Sequence, residues 1–319
     1  MRKLLLGTTA LAAAATLTAN AALADVTISG GAEFKYLSRS SNNSTLDGTT
    51  MSSDNTMTIK FTQKTDSGLD LTYMVDFDAD PGDGGAFGVD ENSLTIAGGF
   101  GKLVLGNNDH VGDNYGIEEG DIVSEEINAT GVDSLTLLDS DIAGMDGDAN
   151  KIAYHLPAMG GLTAGVSFTN SGAAGASDTT AVGAQYAMSA GGASITLGGA
   201  TATTENSTQD IDSQVIGVKV VQGNISAIVS QAEYEASGKD QQSTGATVAF
   251  KVSDAMKIAV FTAETEDDST SEEYTNTGAE LNYKIASGLN AIINVEDYDY
   301  KAGTTGNTAD NGTHSKLTI

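Results

Sequence analysis

The chain contains no cysteine and no tryptophan, and only 2 of its 319 residues are proline. Without cysteine there is no disulfide scaffold, no zinc-thiolate site and no cysteine nucleophile. The 38 glycines that accompany so few prolines favour many turns between extended segments over a proline-rich disordered stalk. These absences leave short extended segments joined by turns as the expected architecture.

Basic residues are scarce, with 15 Lys and Arg against 43 Asp and Glu, which gives a formal net charge of −28. After residue 24 the only arginine is Arg39. So acidic a balance argues against nucleic acid and against anionic lipid as partners. It suits solubility in salt, the binding of cations, or a lumen that favours cations.

Motifs that carry catalytic chemistry are also missing. The sequence has no G-x-S-x-G elbow, no phosphate loop and no dinucleotide fingerprint. His110, His155 and His314 share no metal-ligand spacing, so each is expected to be a loop or lumen residue. No catalytic residue is predicted, and the chain is not expected to be an enzyme.

The first 24 residues have the features of a secretory signal peptide. Arg2 and Lys3 precede an apolar stretch from Leu4 to Ala15, and small residues at Ala22 and Ala24 frame a cleavage site before Asp25. The apolar stretch is shorter than the roughly 20 residues that a membrane-spanning helix needs. We therefore expect residues 1–24 to be removed and residues 25–319 to form one domain.

Long apolar runs are absent beyond that segment, and short alternating segments take their place. Leu69, Leu71, Tyr73, Val75 and Phe77 are separated by polar residues or methionine, so an extended strand here has one apolar and one mainly polar face. Only helices and closed barrels satisfy every backbone hydrogen bond in lipid. If the chain lies in a membrane, the alternation predicts a closed β-barrel.

Alternation and turn residues together predict sixteen antiparallel strands. A first strand over Val26 to Leu37 is followed by seven hairpins and by a closing strand over His314 to Ile319. Short turns join the strands of each hairpin. Longer, acidic connections are expected between hairpins, at Asp78 to Asp90, Ser171 to Asp178, Thr204 to Asp212, Ala236 to Gln242, Asp267 to Thr275 and Lys301 to Thr313.

That asymmetry between short turns and long loops is typical of outer-membrane barrels. Ten lysines fall on the polar phase of their strands, and this phase is expected to face the lumen or to lie at strand ends: Lys35, Lys60, Lys64, Lys102, Lys151, Lys219, Lys251, Lys257, Lys284 and Lys316. The longest connection, over residues 107–150, is strongly acidic and would narrow the lumen if it folded inward.

The segment SLTIAGGFGKLVLGNNDHVGDNYG, from Ser93 to Gly116, resembles the general porins of Gram-negative bacteria, particularly the alphaproteobacterial type. In that family a tight Gly-Phe-Gly turn and a strand ending in Leu-Gly lead into the constriction loop. The resemblance implies a trimeric 16-stranded transmembrane β-barrel in the outer membrane, reached through the periplasm. It also implies that the third long loop, about residues 107–150, folds inward.

The resemblance further implies that acidic loop residues face basic residues across the pore. On this chain the acidic side is drawn from Asp109, Asp113, Glu118, Glu119 and Asp121. The basic side is limited to Lys35, Arg39 and Lys60, where the family has a cluster of basic residues. We therefore expect cation preference. A second departure is the C-terminal Ile319, in place of the family's phenylalanine that the assembly machinery reads.

Calcium is a separate hypothesis, because hard cations take several oxygen ligands. Asp109, Asp113, Glu118 and Glu119 are the candidate ligands, and the alternative is a solvated acidic loop without a defined site. No cofactor is expected to be required.

The predicted function is passive diffusion of small hydrophilic solutes and cations through a water-filled channel, as a homotrimer among outer-membrane lipid and lipopolysaccharide. One alternative is a substrate-specific outer-membrane channel. The other is a secreted acidic β-rich protein of surface-layer or adhesin-like type, which would have no reason to keep its apolar residues on one phase beside short turns.

Overall fold

The computed structural model describes residues 24–42, 47–78, 88–124, 149–169, 177–205, 210–304 and 308–319. Residues 1–23, which contain nearly all of the predicted signal peptide, lie outside the described residues. None of the helical segments among these residues could span a bilayer.

Sixteen antiparallel strands form a closed barrel in the described part of the chain, and each strand pairs with its sequence neighbours. This confirms the predicted barrel and its strand number. The strands are β1 Asp25–Ser41, β2 Gly48–Lys64, β3 Asp70–Asp78, β4 Gly88–Gly98, β5 Gly101–Asn108, β6 Ala149–His155, β7 Leu162–Thr169, β8 Asp178–Ala190, β9 Ala193–Glu205, β10 Asp210–Gln222, β11 Ile225–Ala236, β12 Lys239–Ser253, β13 Met256–Asp267, β14 Glu272–Ala286, β15 Leu289–Lys301 and β16 Asp310–Thr318.

The barrel closes where the last strand meets the first. β1 and β16 pair from Lys35 with Thr318 to Ser41 with Gly312. Beyond the ladder, the amide of Phe34 donates to the carbonyl of Ile319 at 2.9 Å, and the amide of Ile319 donates back at 3.0 Å. The seam is therefore hydrogen-bonded, which leaves the sheet without a free edge.

The two faces of the wall have opposite chemistry. Val182, Ile216, Val229 and Val260 point outward and are 50%, 65%, 58% and 54% exposed. Polar neighbours such as Ser213 and Thr247 point inward and are buried. The strand register places all ten lysines predicted for the polar phase on the inner face. A water-soluble barrel would have the reverse pattern, so this surface is built to meet lipid.

Apolar packing inside the barrel occurs where the loop segment meets the wall and, separately, among Tyr274, Tyr298 and Tyr300 on β14 and β15. A helix of one and a half turns, α1 over Val111–Tyr115, packs with buried wall residues including Ala153, Ala181 and Val215. A single 3₁₀ turn over Glu119–Ile122 follows, and Ile122 packs with Ile228 and its neighbours. The described interior is thus mostly polar wall, with apolar contacts where the loop segment touches it and within the tyrosine cluster.

Three of the predicted long connections are shorter than expected: β9 and β10 are separated by residues 206–209 alone, and two other connections lie wholly within the described residues. β11 ends at Ala236 and β12 begins at Lys239, and Gly238 closes the connection with φ of 81°. β13 extends to Asp267, whose side chain accepts hydrogen bonds from the amides of Ser269 and Thr270 and so shortens the next connection. Both strand pairs continue past the apolar alternation, because the ladder needs only backbone pairing once the strand has left the lipid.

Lysine placed on the outer face tests which side meets lipid. Val229→Lys exposes a charge to hydrocarbon, so we expect unfolding in phospholipid vesicles to become easier by about 2 to 4 kcal/mol, measured by urea titration. Thr72→Lys is the matched control on the inner face of β3 and should change the free energy of unfolding by less than about 1 kcal/mol. Equal effects at the two positions would contradict the assignment of the faces.

Candidate functional site

The segment 109–124 leaves the end of β5 and lies on the inner face of the barrel wall. α1 contacts β7, β8 and β9, and the 3₁₀ turn contacts β11, β12 and β13. The remainder of the predicted constriction loop, residues 125–148, lies outside the described residues. The part that is described therefore spans nearly half of the barrel's circumference, from β7 to β13.

Hydrogen bonds fasten the start of this segment to β6 and β7. The amide of Val111 donates to Ser167 Oγ at 3.1 Å, and His110 Nδ1 lies 3.1 Å from the same oxygen. Tyr115 Oη lies 2.8 Å from Nδ1 of His155. Burial, followed by the nearby charge of Lys151, lowers the pKa of His110 to about 4, so this histidine is neutral at physiological pH.

Small residues on the wall make room for the segment. We use the term glycine track for Gly165, Gly183, Gly198, Gly217 and Gly245, which lie on the inner faces of β7, β8, β9, β10 and β12. A Cβ at Gly183 would lie 2.8 Å from Cβ of Tyr115, and one at Gly198 would lie 2.6 Å from Cγ1 of Ile117. At Gly217 and Gly245 it would meet the Ile117 carbonyl and the Glu119 carboxyl. The segment thus packs directly on bare main chain.

Glu119 is the most deeply placed of the predicted pore acids. Its side chain is buried, its Oε2 accepts a hydrogen bond from Ser230 Oγ at 2.7 Å, and its amide donates to the same Oγ at 3.1 Å. Burial raises the pKa of this carboxyl, an effect that the Ser230 hydrogen bond opposes. Glu119 therefore faces the wall and fixes the segment to β11.

A second set of contacts fastens the end of the segment to β13 and β14. Lys257 Nζ donates to the carbonyl of Ile122 at 3.0 Å and to Ser124 Oγ at 2.9 Å. The amide of Ser124 donates to Glu280 Oε2 at 2.7 Å, and Asn282 Nδ2 donates to Ser124 Oγ at 2.7 Å. Together with Ser167 and Ser230, these contacts hold the segment at three points along the wall.

The other predicted acids lie nearer to open space. Asp113 on α1 and Asp121 in the 3₁₀ turn are exposed, whereas Asp109 and Glu118 are half-buried. Lys219 on the inner face of β10 interacts electrostatically with Asp121. The acidic surface of the segment is therefore carried mainly by Asp113 and Asp121.

The predicted basic residues lie on the far side of the lumen. β1 and β2 are eight strands from β9 and β10 in a ring of sixteen, so they face the segment. Lys35 forms ion pairs with Glu33 at 3.1 Å and Asp54 at 3.0 Å. Arg39 donates from Nε to His314 Nε2 at 2.9 Å, and Lys60 is exposed. The opposite wall thus carries cations beside carboxylates.

Calcium has no support from the described residues. Within those ranges, no three His, Asp or Glu side chains come together as a metal site. Glu119, one of the four candidate ligands, accepts a hydrogen bond from Ser230 instead. The calcium hypothesis stays a prediction.

Comparison with known proteins was made on both sequence and structure. A family model described as Gram-negative porin matches residues 7–303. A search of curated protein sequences finds no match. Similar solved structures include the anion-selective porin from Comamonas acidovorans, with a TM-score of 0.68 and 14% identity over 92% of this chain and 99% of that chain.

Two further structures resemble the barrel to a similar degree. OmpT of Vibrio cholerae, an outer membrane protein in a trimer form, gives a TM-score of 0.63 and 15% identity over 92% of this chain and 99% of that chain. A mutant of the Rh. blastica porin gives a TM-score of 0.63 and 15% identity over 92% of this chain and 100% of that chain. At such identities the structural likeness concerns the fold alone.

Gly217→Ala tests the glycine track. We call the segment 109–124 seated when it is packed on the wall. The added methyl group would meet the Ile117 carbonyl, so we expect the seated form to become less stable by about 1 to 3 kcal/mol, the usual cost of overpacking. Hydrogen exchange at the amides of Val111 and Glu119 measures the change. Gly31→Ala is the control, because the nearest atom there is 3.6 Å away and the site is remote from the segment. Unchanged exchange in Gly217→Ala would show that the contact is not tight.

Glu119→Gln tests the pH dependence of seating. Because burial raises the carboxyl pKa above its ordinary value near 4.5, the seated form favours the proton. Seating should therefore be strongest at low pH and weaken as pH rises through the raised pKa. Burial also raises the pKa of Asp121 in the same turn, so the amide variant should reduce this dependence in hydrogen exchange, corrected for intrinsic rates, without abolishing it. Asp113→Asn should retain the full dependence, and an undiminished dependence in Glu119→Gln would assign it to another group.

Proposed function

Because the chain belongs to the Gram-negative porin family, we propose that it forms a water-filled channel through which small hydrophilic solutes and ions diffuse passively across the bacterial outer membrane. The observation that carries the proposal is the inverted wall, with apolar side chains outside, polar ones inside and a loop segment laid on the inner face. A wall of this kind surrounds a water-filled lumen, not an apolar core. The fold and family indicate a channel and not an enzyme.

The segment 109–124 acts in this proposal as the constriction. Its contacts with Ser167, Ser230, Lys257 and Glu280 support this role, and Asp113 and Asp121 are the exposed acids that it would present to the lumen. Rings or rows of carboxylates at a narrow point favour cations by electrostatic attraction. Glu119 holds the segment in place, because its carboxyl faces Ser230 on the wall.

The net charge of the whole chain overstates the field inside the channel. Many carboxylates lie on the outer face beyond the apolar zone, whereas the ten lysines predicted for the polar phase face inward. These outward acids are Asp212, Glu233, Glu235, Asp240, Glu264, Glu266, Glu273, Asp297 and Asp299. The inner lysines are partly offset by neighbouring acids, as at Lys35 with Glu33 and Asp54. Cation preference in our proposal is therefore moderate and arises at the constriction.

General diffusion fits the inner aromatic residues better than a solute-specific channel does. Tyr274, Tyr298 and Tyr300 face inward, but all three are buried. Their hydroxyl groups donate to Glu296, Asp310 and Glu272 at 3.4, 2.7 and 2.5 Å. Side chains engaged in this way offer no aromatic track to a passing solute. Membership of the porin family likewise argues against a secreted surface-layer or adhesin-like protein.

We further propose that the mature chain begins at Asp25 after export and assembles as a homotrimer. The trimer form of the similar OmpT structure supports the assembly state. β1 begins at Asp25, so cleavage there would leave the whole barrel intact.

Neutralising three acids of the segment, two exposed and one half-buried, tests the proposal. In a salt gradient across a planar bilayer, the variant Asp113→Asn, Glu118→Gln, Asp121→Asn should lose roughly half or more of the cation-selective reversal potential, because these carboxylates set the field at the constriction. Glu264→Gln, which removes an outward carboxylate on β13, is the control and should leave the reversal potential unchanged.

Two results would count against the proposal. If folded wild-type protein gives no stepwise conductance, the protein does not form a channel. If the triple variant conducts and its reversal potential is unchanged, the protein forms a channel but these acids do not set its selectivity.

A further inference from the structure

Most lysines of the barrel lie at one end of the lumen, where the short turns join the strands of each hairpin. Apart from Lys3, the chain has twelve lysines, and all of them are within the described residues. Eight of the twelve face inward from the turn-side half of their strand, and for β16 this half ends at the C-terminus. We call these eight the lysine belt: Lys60, Lys64, Lys102, Lys219, Lys251, Lys257, Lys284 and Lys316.

Inward carboxylates have the opposite distribution along the same wall. In the turn-side half of the described strands they are Asp25, Asp70 and Glu280, against the eight lysines of the belt. In the loop-side half, at least seven acids face inward: Asp54, Asp76, Asp78, Asp267, Glu272, Glu296 and Asp310. The basic residues in that half are Lys35, Arg39, Lys151 and Lys239. The inner face is therefore acidic toward the loops and basic toward the turns.

The segment 109–124 lies on the loop side of the lysine belt. On β10, Gly217 packs against Ile117, and Lys219 is the next inward residue toward the turn. On β13, Lys257 Nζ donates to the carbonyl of Ile122 at 3.0 Å from the turn side of the segment. An ion that enters at the loop end therefore passes the carboxylates of the wall and of the segment before it reaches the belt.

Neighbouring acids offset only part of the charge of the lysine belt. Three of its members form ion pairs, which are Lys64 with Asp70 at 3.2 Å, Lys251 with Asp254 at 2.7 Å and Lys257 with Glu280 at 3.5 Å. Four other members form no ion pair with any described residue, and their side chains are exposed or half-buried: Lys60, Lys102, Lys219 and Lys284. The turn-side part of the lumen thus keeps a positive charge that can attract anions.

We propose that the lysine belt is a second charge-selective zone, in series with the acidic constriction, and that the channel therefore conducts better in one direction. Each zone concentrates its own counter-ions, which are cations at the acids and anions at the belt. When the loop side is positive, both kinds of ion move toward the boundary between the zones and fill the lumen. The opposite polarity draws both away from that boundary and depletes it. The inference rests on the proposed channel function.

Single-channel currents in a planar bilayer, recorded at both polarities in symmetric KCl, test this order of charge. In about 0.1 M salt the Debye length is about 10 Å, and we expect about 1.5-fold to 2-fold more current when the loop side is positive. In about 1 M salt, where the Debye length is about 3 Å, the two currents should be nearly equal. Because the chain has no cysteine, Ser237→Cys between β11 and β12 identifies the loop side. A bulky thiol-reactive polymer should change the current of this variant only from that chamber.

Substitutions in the lysine belt identify the source of the asymmetry. The triple variant Lys60→Gln, Lys219→Gln, Lys284→Gln removes three lysines that form no ion pair with described residues, so it should bring the current ratio close to one and increase cation selectivity. The matched control replaces the same three lysines with arginine, which keeps the charge and should keep the ratio. Lys301→Gln removes an outward lysine on β15 and should also leave the ratio unchanged. Circular dichroism verifies that each variant is folded.

Two results would overturn this inference while the proposed channel function remains. One is equal current at both polarities in dilute salt from wild-type protein that conducts. The other is a current ratio that the glutamine variant retains in full, because the asymmetry would then have another source. Absence of any conductance from folded protein would instead contradict the channel function itself, and with it the inference that rests on it.

Discussion

The structure depends on one constraint, which is that lipid offers no partner to a backbone N–H or C=O. Every strand must therefore be paired on both sides, and the sheet must close on itself. Closure is achieved where Phe34 and Ile319 exchange hydrogen bonds beyond the β1–β16 ladder. Once the ladder has paired the backbone N–H and C=O groups, apolar side chains can face the lipid and polar side chains can face the lumen. Val229 and Ile216 meet lipid, while Ser230, Ser213 and Thr247 face inward.

The loop segment uses the polar inner face in a way that the ladder alone does not require. Its own amides at Val111, Glu119 and Ser124 are satisfied by wall side chains, because a segment laid on a paired sheet finds no free backbone partners there. Close approach in turn requires the glycine track, since a Cβ at Gly217 or Gly245 would occupy the space of Ile117 or Glu119. Position and hydrogen bonding of the segment therefore depend on the same few wall residues.

Local pattern was enough to predict the strands, and long-range contact was needed for the site. Alternation from Leu69 to Phe77 shows a strand without reference to any other part of the chain. In contrast, Glu119 meets Ser230, 111 residues away, and Lys257 meets Ile122, 135 residues away. Glu119 therefore had the same status in the sequence as Asp113 and Asp121. Glycines on the polar phase of β7, β8, β9, β10 and β12 were the available signal, because their repetition on nearby strands leaves room for a segment packed on the wall. The two short connections after Ala236 and Asp267 were missed because polar residues that continue a ladder resemble loop residues in composition.

Gly198 and Gly199 are adjacent on β9 and point to opposite faces of the wall. Ile117 packs against the first, and the second faces outward between Ala184 and Ile216 on the neighbouring strands. At this place only main chain separates the two surfaces of the wall. A displacement of Ile117 on the inner side can therefore reach the lipid-facing side through the backbone of β9 itself, without passing through any side chain of that strand.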